Sequence, residues 1–184
     1  MRKIVAVIGD STVPLGSKEY ELAFQVGKAL IDSGYRVQSG GLGGVMEAVF
    51  AGAHSSDQYI EGDTIAIIPS FDRSKANAYA DIIIPTGLDV MRNAIVANAD
   101  AVVAIGGGAG TLSEMAIAWS LYRLVIGFKN VKGWSSKLAD KPIDARNRYD
   151  FPDDQVYGVE TVEEMIQVLK DKIDKYNRVH HGVR

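Results

Sequence analysis

Uninterrupted apolar segments alternate along the chain with segments whose apolar residues recur at helical spacing. KIVAVIG, at residues 3–9, is apolar without alternation, which is typical of a strand buried on both faces. The next segment has helical periodicity between a capping Ser17 and a terminating Gly34. Further strands are predicted at YRVQS, TIAIIP, DIIIP, DAVVAIG, LVIGF and, more weakly, QVYGV. Strands alternating with helices in this way predict a parallel sheet covered on both faces.

The remaining periodic segments predict the other helices of the domain. They are VMEAVFAGAH, LDVMRNAIVANA, TLSEMAIAWSLY and a final helix from Thr161 to about Tyr176. In the second of these, Met91, Ile95 and Ala99 are expected to share one side. Residues 129–154 are expected to be irregular, and the last eight residues, NRVHHGVR, are expected to form a frayed tail. We therefore predict a single α/β domain over residues 1–184, with a Rossmann-like, doubly wound parallel sheet.

Glycines and small polar residues follow several predicted strands, at the sheet edge where ligands of such folds bind. The candidate ligand-binding residues at these strand ends are Gly9, Asp10, Ser11, Gly40, Gly41, Gly43, Gly44, Val45, Met46, Ser70, Thr86, Gly87, Gly106, Gly107, Gly108, Ala109, Gly110 and Thr111. Glycine-rich turns expose backbone N–H groups at the positive end of a helix, which suits phosphate. The alternative is that the glycines only make tight turns and close packing. Two such turns in one sheet favour a ligand with a phosphate and a neighbouring polar group.

Standard nucleotide motifs do not match these turns. The dinucleotide fingerprint needs glycine or alanine at its sixth position, where GLGGVM has Met46 and GGGAGT has Thr111. GDSTVPLGSK ends in Gly-Ser-Lys, the wrong order for a triphosphate-binding loop. Hydride transfer and triphosphate hydrolysis are therefore not expected.

Composition narrows the function classes further. The 184 residues carry a net charge of −3, so there is no basic excess for a nucleic-acid partner. No stretch approaches the roughly 18 apolar residues of a membrane helix, and we expect a cytoplasmic protein without a membrane partner. Cysteine is absent, and the three histidines show no metal-ligand spacing, so no metal site is expected.

The segment GGAGTLSE, residues 107–114, matches the pattern GGxGTxxE after an apolar strand. It resembles the family named after the plant "lonely guy" enzymes, Rossmann-fold proteins long mislabelled as lysine decarboxylases. The enzymes among them cleave cytokinin-type nucleoside 5′-monophosphates and carry Arg-Lys and a proline where this chain has Arg92-Asn93 and Gly106. These departures, with PTGLDVMRNAIVANADAVVAIGGGAGTLSEMAIA, look more like the branch of molybdenum cofactor carrier proteins and their bacterial relatives. The resemblance implies a homo-oligomer, a dimer or a tetramer.

Three functions follow from these residues together with the resemblance, and whether the protein is an enzyme stays open. The first is a binding protein for a phosphate-bearing nucleotide or pterin, with the molybdenum cofactor as the carried molecule. The alternative is a phosphoribohydrolase, in which Arg92 would hold the phosphate and Glu114 would act on the glycosidic bond. A third reading is an interaction protein whose pocket has no remaining role. Decarboxylation is not expected, because no lysine lies between Lys28 and Lys75 or between Lys75 and Lys129, the stretches that contain the two glycine turns.

Three side chains near the second turn have competing roles. Thr111 and Glu114 have capping-box spacing, which favours a helix cap over a ligand contact for Glu114, and Thr161 repeats the pattern with Glu164. The resemblance places Arg92 at the site and so implies that it binds an anion, with a snorkelling surface arginine as the alternative. Asn93 supplies an amide that can recognise a pterin or base edge.

Overall fold

The computed structural model describes residues 1–182, and a seven-stranded, all-parallel sheet forms its centre. The strands are β1 (Ile4–Gly9), β2 (Arg36–Ser39), β3 (Thr64–Ile68), β4 (Ile82–Pro85), β5 (Ala101–Ile105), β6 (Leu124–Phe128) and β7 (Tyr157–Val159). Their order is β4-β3-β2-β1-β5-β6-β7, so β2 to β4 are added on one side of β1 and β5 to β7 on the other, and the strand order reverses between β1 and β5. The predicted Rossmann-like, doubly wound single domain is confirmed.

The helices cover both faces of this sheet. They are α1 (Lys18–Asp32), α2 (Val45–His54), α3 (Asn93–Ala97), α4 (Ala109–Ser120), α5 (Trp134–Leu138) and α6 (Val162–Lys172), with 3-10 turns at Arg73–Lys75 and Asp89–Arg92. Every residue of β3, β5 and β6 is buried, as the unbroken apolar pattern predicts. Ser17 accepts a hydrogen bond from the Tyr20 amide, which confirms it as the cap of α1.

The helix predicted over LDVMRNAIVANA is wrong as a single element. A 3-10 turn at Asp89–Arg92 is followed by the short helix α3, and Met91 is 72% exposed. The side that faces inward here is partly polar, because Arg92 and Asn93 are buried together with Val96 and Ala97. Met91, Ile95 and Ala99 therefore do not share a buried face, since the first two are exposed and only Ala99 is buried.

The helices α1 and α2 pack against each other backbone to backbone. A Cβ atom on Gly27 would lie 1.9 Å from the carbonyl oxygen of Val49, and one on Gly52 would lie 1.9 Å from the carbonyl oxygen of Phe24. Side chains at these two positions would push the helices apart, so the glycines set their close approach. The pair α1–α2 fixes where α2 begins, next to the glycine turn that follows β2.

The segment between β6 and β7 and the chain after α6 are held by one buried arginine. The Arg148 guanidinium lies 3.4 Å from the centre of the Trp119 ring and donates to Asp154 at 2.6 Å. Arg178 donates to the Arg148 carbonyl, and its guanidinium lies 3.1 Å from Asp150. The expected frayed tail is therefore wrong at Arg178, while residues 183–184 lie outside the described part of the chain. The expected irregular segment 129–154 contains α5, and the last helix ends at Lys172, before Tyr176.

Candidate functional site

A cavity of about 260 Å³ lies where the strand order reverses, above the carboxyl ends of the paired strands β1 and β5. Its lining includes eleven of the predicted residues: Gly9, Asp10, Ser11, Gly40, Met46, Arg92, Asn93, Gly108, Gly110, Thr111 and Glu114. Three residues that sequence reasoning missed, Ile8, Ser39 and Leu42, complete it. The turns after β1, β2 and β5 thus meet around one space, together with the Arg-Asn pair that opens α3.

The other predicted residues of the two glycine turns lie outside the lining. They are Gly41, Gly43, Gly44, Val45, Gly106, Gly107 and Ala109. Gly44 has φ of 62°, and a Cβ atom there would lie 2.3 Å from the Asp10 carbonyl oxygen. That carbonyl accepts a 3.0 Å hydrogen bond from the Val45 amide, so the β1 turn is clamped to the start of α2. For these residues the alternative of tight turns and close packing describes the observed contacts.

Ser70, Thr86 and Gly87 lie outside the cavity lining, in the turns after β3 and β4. The Ser70 hydroxyl accepts a hydrogen bond from the Asp72 amide at 2.9 Å, and the Thr86 hydroxyl donates to the Ile68 carbonyl at 2.8 Å. A Cβ atom on Gly87 would lie 2.1 Å from the Phe71 ring. These polar groups therefore serve their own turns, because β3 and β4 lie away from the point where the strand order reverses.

The first turn of α4 presents unused backbone N–H groups to the cavity. Its cap residue, Gly108, has no side chain to accept them, and the Leu112 amide is the first to bond within the helix, at 3.0 Å to the Gly108 carbonyl. Within residues 1–182 the amides of Ala109, Gly110 and Thr111 have no hydrogen-bond acceptor. A helix N-terminus of this kind attracts an anion.

The predicted capping box at Thr111 and Glu114 is wrong. The helix begins two residues earlier than expected, at Ala109, so Thr111 is its third residue and cannot cap it. The Thr111 side chain lies instead against Gly107, where a Cβ atom would approach its hydroxyl oxygen to 2.1 Å. The second copy of the pattern does form a capping box, since the Glu164 amide donates to the Thr161 hydroxyl at 3.2 Å. The small residues Gly108, Ala109 and Gly110 account for the difference, because they let the turn after β5 coil into the helix.

Glu114 instead meets Arg92 inside the cavity. An Arg92 Nη1 atom donates to the Glu114 Oε1 atom at 3.1 Å, and the two residues are only 9% and 6% exposed. The surface alternative for Arg92 is therefore wrong. Its guanidinium passes over Gly40, where a Cβ atom would lie 2.6 Å from Nη2. Among the described residues, the buried Arg92 Nε has no hydrogen-bond partner.

Asn93 orients this pair rather than presenting a free amide. Its Oδ1 accepts a 3.1 Å hydrogen bond from Arg92, and its Nδ2 donates to the Ser113 hydroxyl at 2.8 Å. Ser113 in turn donates to the Gly110 carbonyl at 2.7 Å, so the first turn of α4 is tied to α3. Sequence reasoning missed Ser113, although its place one residue before Glu114 and three after Gly110 was the available signal.

The charges around the cavity are few and differ in their response to pH. Burial raises the pKa of Glu114 to about 7, although the charge and hydrogen bond of Arg92 oppose this. The Thr12 hydroxyl and amide, by contrast, hold the pKa of Asp10 below its usual value. Near neutral pH the cavity thus contains one cation, one fixed carboxylate and one carboxyl group that can gain or lose a proton.

Residues 1–182 contain neither a metal cluster nor a membrane-spanning helix. No group of three or more histidine, aspartate or glutamate side chains there is arranged to hold a metal ion. No helix in that range is long and apolar enough to cross a membrane.

Comparison with known proteins gives a family match and several relatives. The profile of the SLOG cluster4 family matches residues 2–166. An uncharacterized protein of Archaeoglobus fulgidus is 42% identical over 100 residues, which are 54% of this chain and 63% of that protein. The chain thus spans less than two thirds of the length of this curated relative.

Solved structures resemble the chain over nearly its whole length. TM1055, a structural-genomics target, is 31% identical, with a TM-score of 0.77, covering 92% of this chain and 99% of its own. The molybdenum cofactor binding protein of Rippkaea orientalis is 30% identical, with a TM-score of 0.77, covering 94% and 98%.

Two more distant structures share the fold alone. The molybdenum cofactor carrier protein of Chlamydomonas reinhardtii is 24% identical over 92% of this chain and 98% of its own, with a TM-score of 0.73. DNA processing protein A of Helicobacter pylori, a single-stranded DNA binder, is 16% identical over 92% and 80%, with a TM-score of 0.65. The fold therefore occurs in proteins with different ligands, so function has to be argued from the cavity.

Proposed function

The chain belongs to the SLOG cluster4 family, and we propose that it is a carrier that holds a phosphate-bearing small molecule in this cavity. The proposed cargo is the molybdenum cofactor. The observation that carries the proposal is the uncapped first turn of α4, whose free amides lie beside a buried arginine. The likeness to the Rippkaea orientalis molybdenum cofactor binding protein, over 94% of the chain, supports the choice of cargo.

In the proposed complex, the phosphate rests on the amides of Gly110 and Thr111 and against the Arg92 guanidinium. Amides at a helix start and a planar guanidinium are the groups that bind phosphate oxygens well. The cavity volume of about 260 Å³ is near the lower end of the roughly 300–1,000 Å³ typical of ligand pockets. We therefore propose that the cavity encloses the phosphate end, while the ring system extends past the exposed Asp10 and Ser11.

A thermal-shift experiment tests the carrier proposal. Screening should include 5′-nucleotides, inorganic phosphate and the molybdenum cofactor. A ligand at 100 times its dissociation constant adds about 2.7 kcal/mol to the free energy of unfolding, which is a readily measured rise in Tm. Arg92→Lys keeps the positive charge but loses the planar set of guanidinium N–H donors, so it should weaken binding. The control Arg73→Lys, in an exposed turn, should leave binding unchanged. Binding that survives Arg92→Lys unchanged would contradict the proposed phosphate position.

The hydrolase alternative is retained because Glu114 faces the cavity rather than capping its helix. A carboxyl group whose pKa lies at about 7 is suited to proton transfer at neutral pH. Incubation with 5′-AMP, with free adenine and ribose 5-phosphate measured, tests this directly. Turnover that disappears in Glu114→Ala would overturn the carrier proposal, and no turnover would remove the hydrolase alternative.

We also propose that the protein is a homo-oligomer, a dimer or a tetramer. An apolar groove next to the cavity is lined by Val90, Met91, Ala94 and Ile117, and Val90 and Met91 are among the most exposed apolar residues. Exposed apolar surface of this kind often marks a protein interface. Light scattering should give a multiple of 19.9 kDa, and Met91→Glu should shift the mass toward that of one chain. A single-chain mass for the unmodified protein would contradict this proposal. Cytoplasmic location and the lack of a nucleic-acid partner stay predictions.

A further inference from the structure

We infer that the cavity binds its anionic ligand together with a proton, which Glu114 takes up from solvent. This inference rests on the proposed function, because it needs an anion at the first turn of α4. Protonation of Glu114 would then control how tightly the ligand binds. Neither the capping role nor the hydrolase role of Glu114 includes this effect.

The Glu114 carboxyl group is hydrogen-bonded to Arg92 through one of its two oxygens. Its Oε1 accepts a hydrogen bond from Arg92 at 3.1 Å, while its Oε2 has no partner among the described residues. Arg92 is also the cation that an incoming phosphate would need. An ionised Glu114 therefore competes with the ligand for Arg92, whereas a protonated Glu114 releases that competition and gains an O–H donor for a ligand oxygen.

The net charge of the cavity lining depends on whether Glu114 is ionised. Asp10, Arg92 and Glu114 are the charged residues of its lining. With Glu114 ionised they sum to one negative charge, and with Glu114 protonated they sum to zero. A phosphate dianion brought beside two carboxylates in a partly buried space is strongly disfavoured, since charges there are poorly screened.

Apart from Arg92, the cations that contact α4 lie at its C-terminal end, where Arg148 and Arg146 are each paired with an aspartate. The other elements packed against α4 offer Glu114 no further compensating charge. The strands β1, β5 and β6 consist of uncharged residues, and α3 presents the neutral Asn93. The cation of α5, Lys137, lies over the Trp134 ring at 4.6 Å. Proton uptake at Glu114 is therefore the available way to lower the negative charge beside the ligand.

The Glu114 carboxyl group can gain or lose its proton near neutral pH. Burial raises the pKa of Glu114 to about 7 before any ligand is bound, and a phosphate beside it raises that pKa further. In the free protein above pH 7 the carboxyl group is mostly ionised, so binding takes one proton from the buffer and forms one O–H bond. Release of the ligand returns that proton.

Isothermal titration calorimetry with 5′-AMP and with inorganic phosphate tests the inference. 5′-AMP is the main probe because its second phosphate pKa is about 6, so the ligand stays a dianion from pH 7.5 to 8.5. Over that range the Kd should rise roughly eightfold, as expected when one proton must be bound by a group whose pKa is about 7. Titration in two buffers with different heats of ionisation should show uptake approaching one proton per site at pH 8.5.

Two variants separate Glu114 from other groups. Glu114→Gln keeps the shape and is always neutral, so its Kd should be nearly constant from pH 7.5 to 8.5, with tighter binding than the unmodified protein at pH 8.5. Glu164→Gln alters an exposed carboxylate of the α6 capping box and should keep the eightfold dependence. The number of protons that the unmodified protein takes up on binding tests the inference even if a variant folds poorly.

The outcomes distinguish this inference from the proposed function. A Kd for 5′-AMP that does not change with pH, or no proton uptake, overturns the inference and leaves the carrier proposal standing. An equal pH dependence in Glu114→Gln also overturns it. If neither 5′-AMP nor inorganic phosphate binds at any pH to either protein, the proposed phosphate site fails, and the inference fails with it.

Discussion

Replacing Glu114 by glutamine should stabilise the free protein at alkaline pH. The carboxyl group is buried and its pKa is raised from 4.5 to about 7, with burial as the main cause. Between these two pH values the folded protein binds more protons than the unfolded chain. Stability from this group is therefore greatest below pH 4.5, falls as pH rises toward 7, and stays low above it.

The size of the effect follows from the same pKa values. Each pKa unit corresponds to about 1.4 kcal/mol, so moving from 4.5 to about 7 costs about 3 kcal/mol once the group is fully ionised. Glutamine resembles the protonated carboxyl group and avoids this cost. The free energy of unfolding of Glu114→Gln should exceed that of the unmodified protein by less than about 1 kcal/mol at pH 5, about 2 at pH 6 and about 3 at pH 8.

Urea unfolding followed by circular dichroism at these three pH values is the assay. Taking the difference between variant and unmodified protein cancels the titration of all other groups. Glu164→Gln serves as the control for the substitution itself, at an exposed glutamate of α6. If Glu114→Gln proves less stable than the unmodified protein at pH 8, the ion pair with Arg92 is net stabilising and the reasoning from burial is refuted.

The packing observations lead to two further predictions. Gly27→Ala should lower the free energy of unfolding by about 1–3 kcal/mol, because its new methyl group has no room against α2, as urea unfolding would show. Gly110→Ala is the matched control, since nothing lies within 4 Å of its Cβ position, and it should be neutral or stabilising; equal losses would contradict the packing argument. Arg148→Ala should cost about 3–5 kcal/mol in the same assay, because it leaves Asp154 as a buried, uncompensated charge, and a loss below 1 kcal/mol would show that water replaces the arginine.

The strands of the sheet could be predicted because each is an uninterrupted run of mostly apolar residues. Segments such as IVAVIG and AVVAIG are apolar at every position, which only a strand covered on both faces requires. The turns after β1, β2 and β5 surround one cavity, because the carboxyl ends of neighbouring parallel strands meet at one edge. The closeness of Gly27 to the Val49 carbonyl could not be predicted, since it depends on how α1 and α2 cross.

The misassigned residues share a physical cause. Thr111 and Thr161 precede a glutamate with identical spacing, but only Thr161 begins a helix, because small residues before Thr111 extend α4 backward. The helix around Arg92 was misjudged because hydrophobic periodicity treats arginine as exposed, whereas here Glu114 and Asn93 bind its guanidinium in the interior. Buried polar pairs at a ligand cavity are where a hydrophobic pattern is expected to fail.

The central claim is that the first turn of α4 and Arg92 hold the phosphate of a small molecule. The most direct test is a crystal structure of the protein grown with 5′-AMP at pH 6.5, where Glu114 is mostly protonated. The account predicts phosphate oxygens within hydrogen-bonding distance of the Gly110 and Thr111 amides and of the Arg92 guanidinium. A phosphate bound elsewhere, or a first turn of α4 that stays without an anion at saturating ligand, would contradict it.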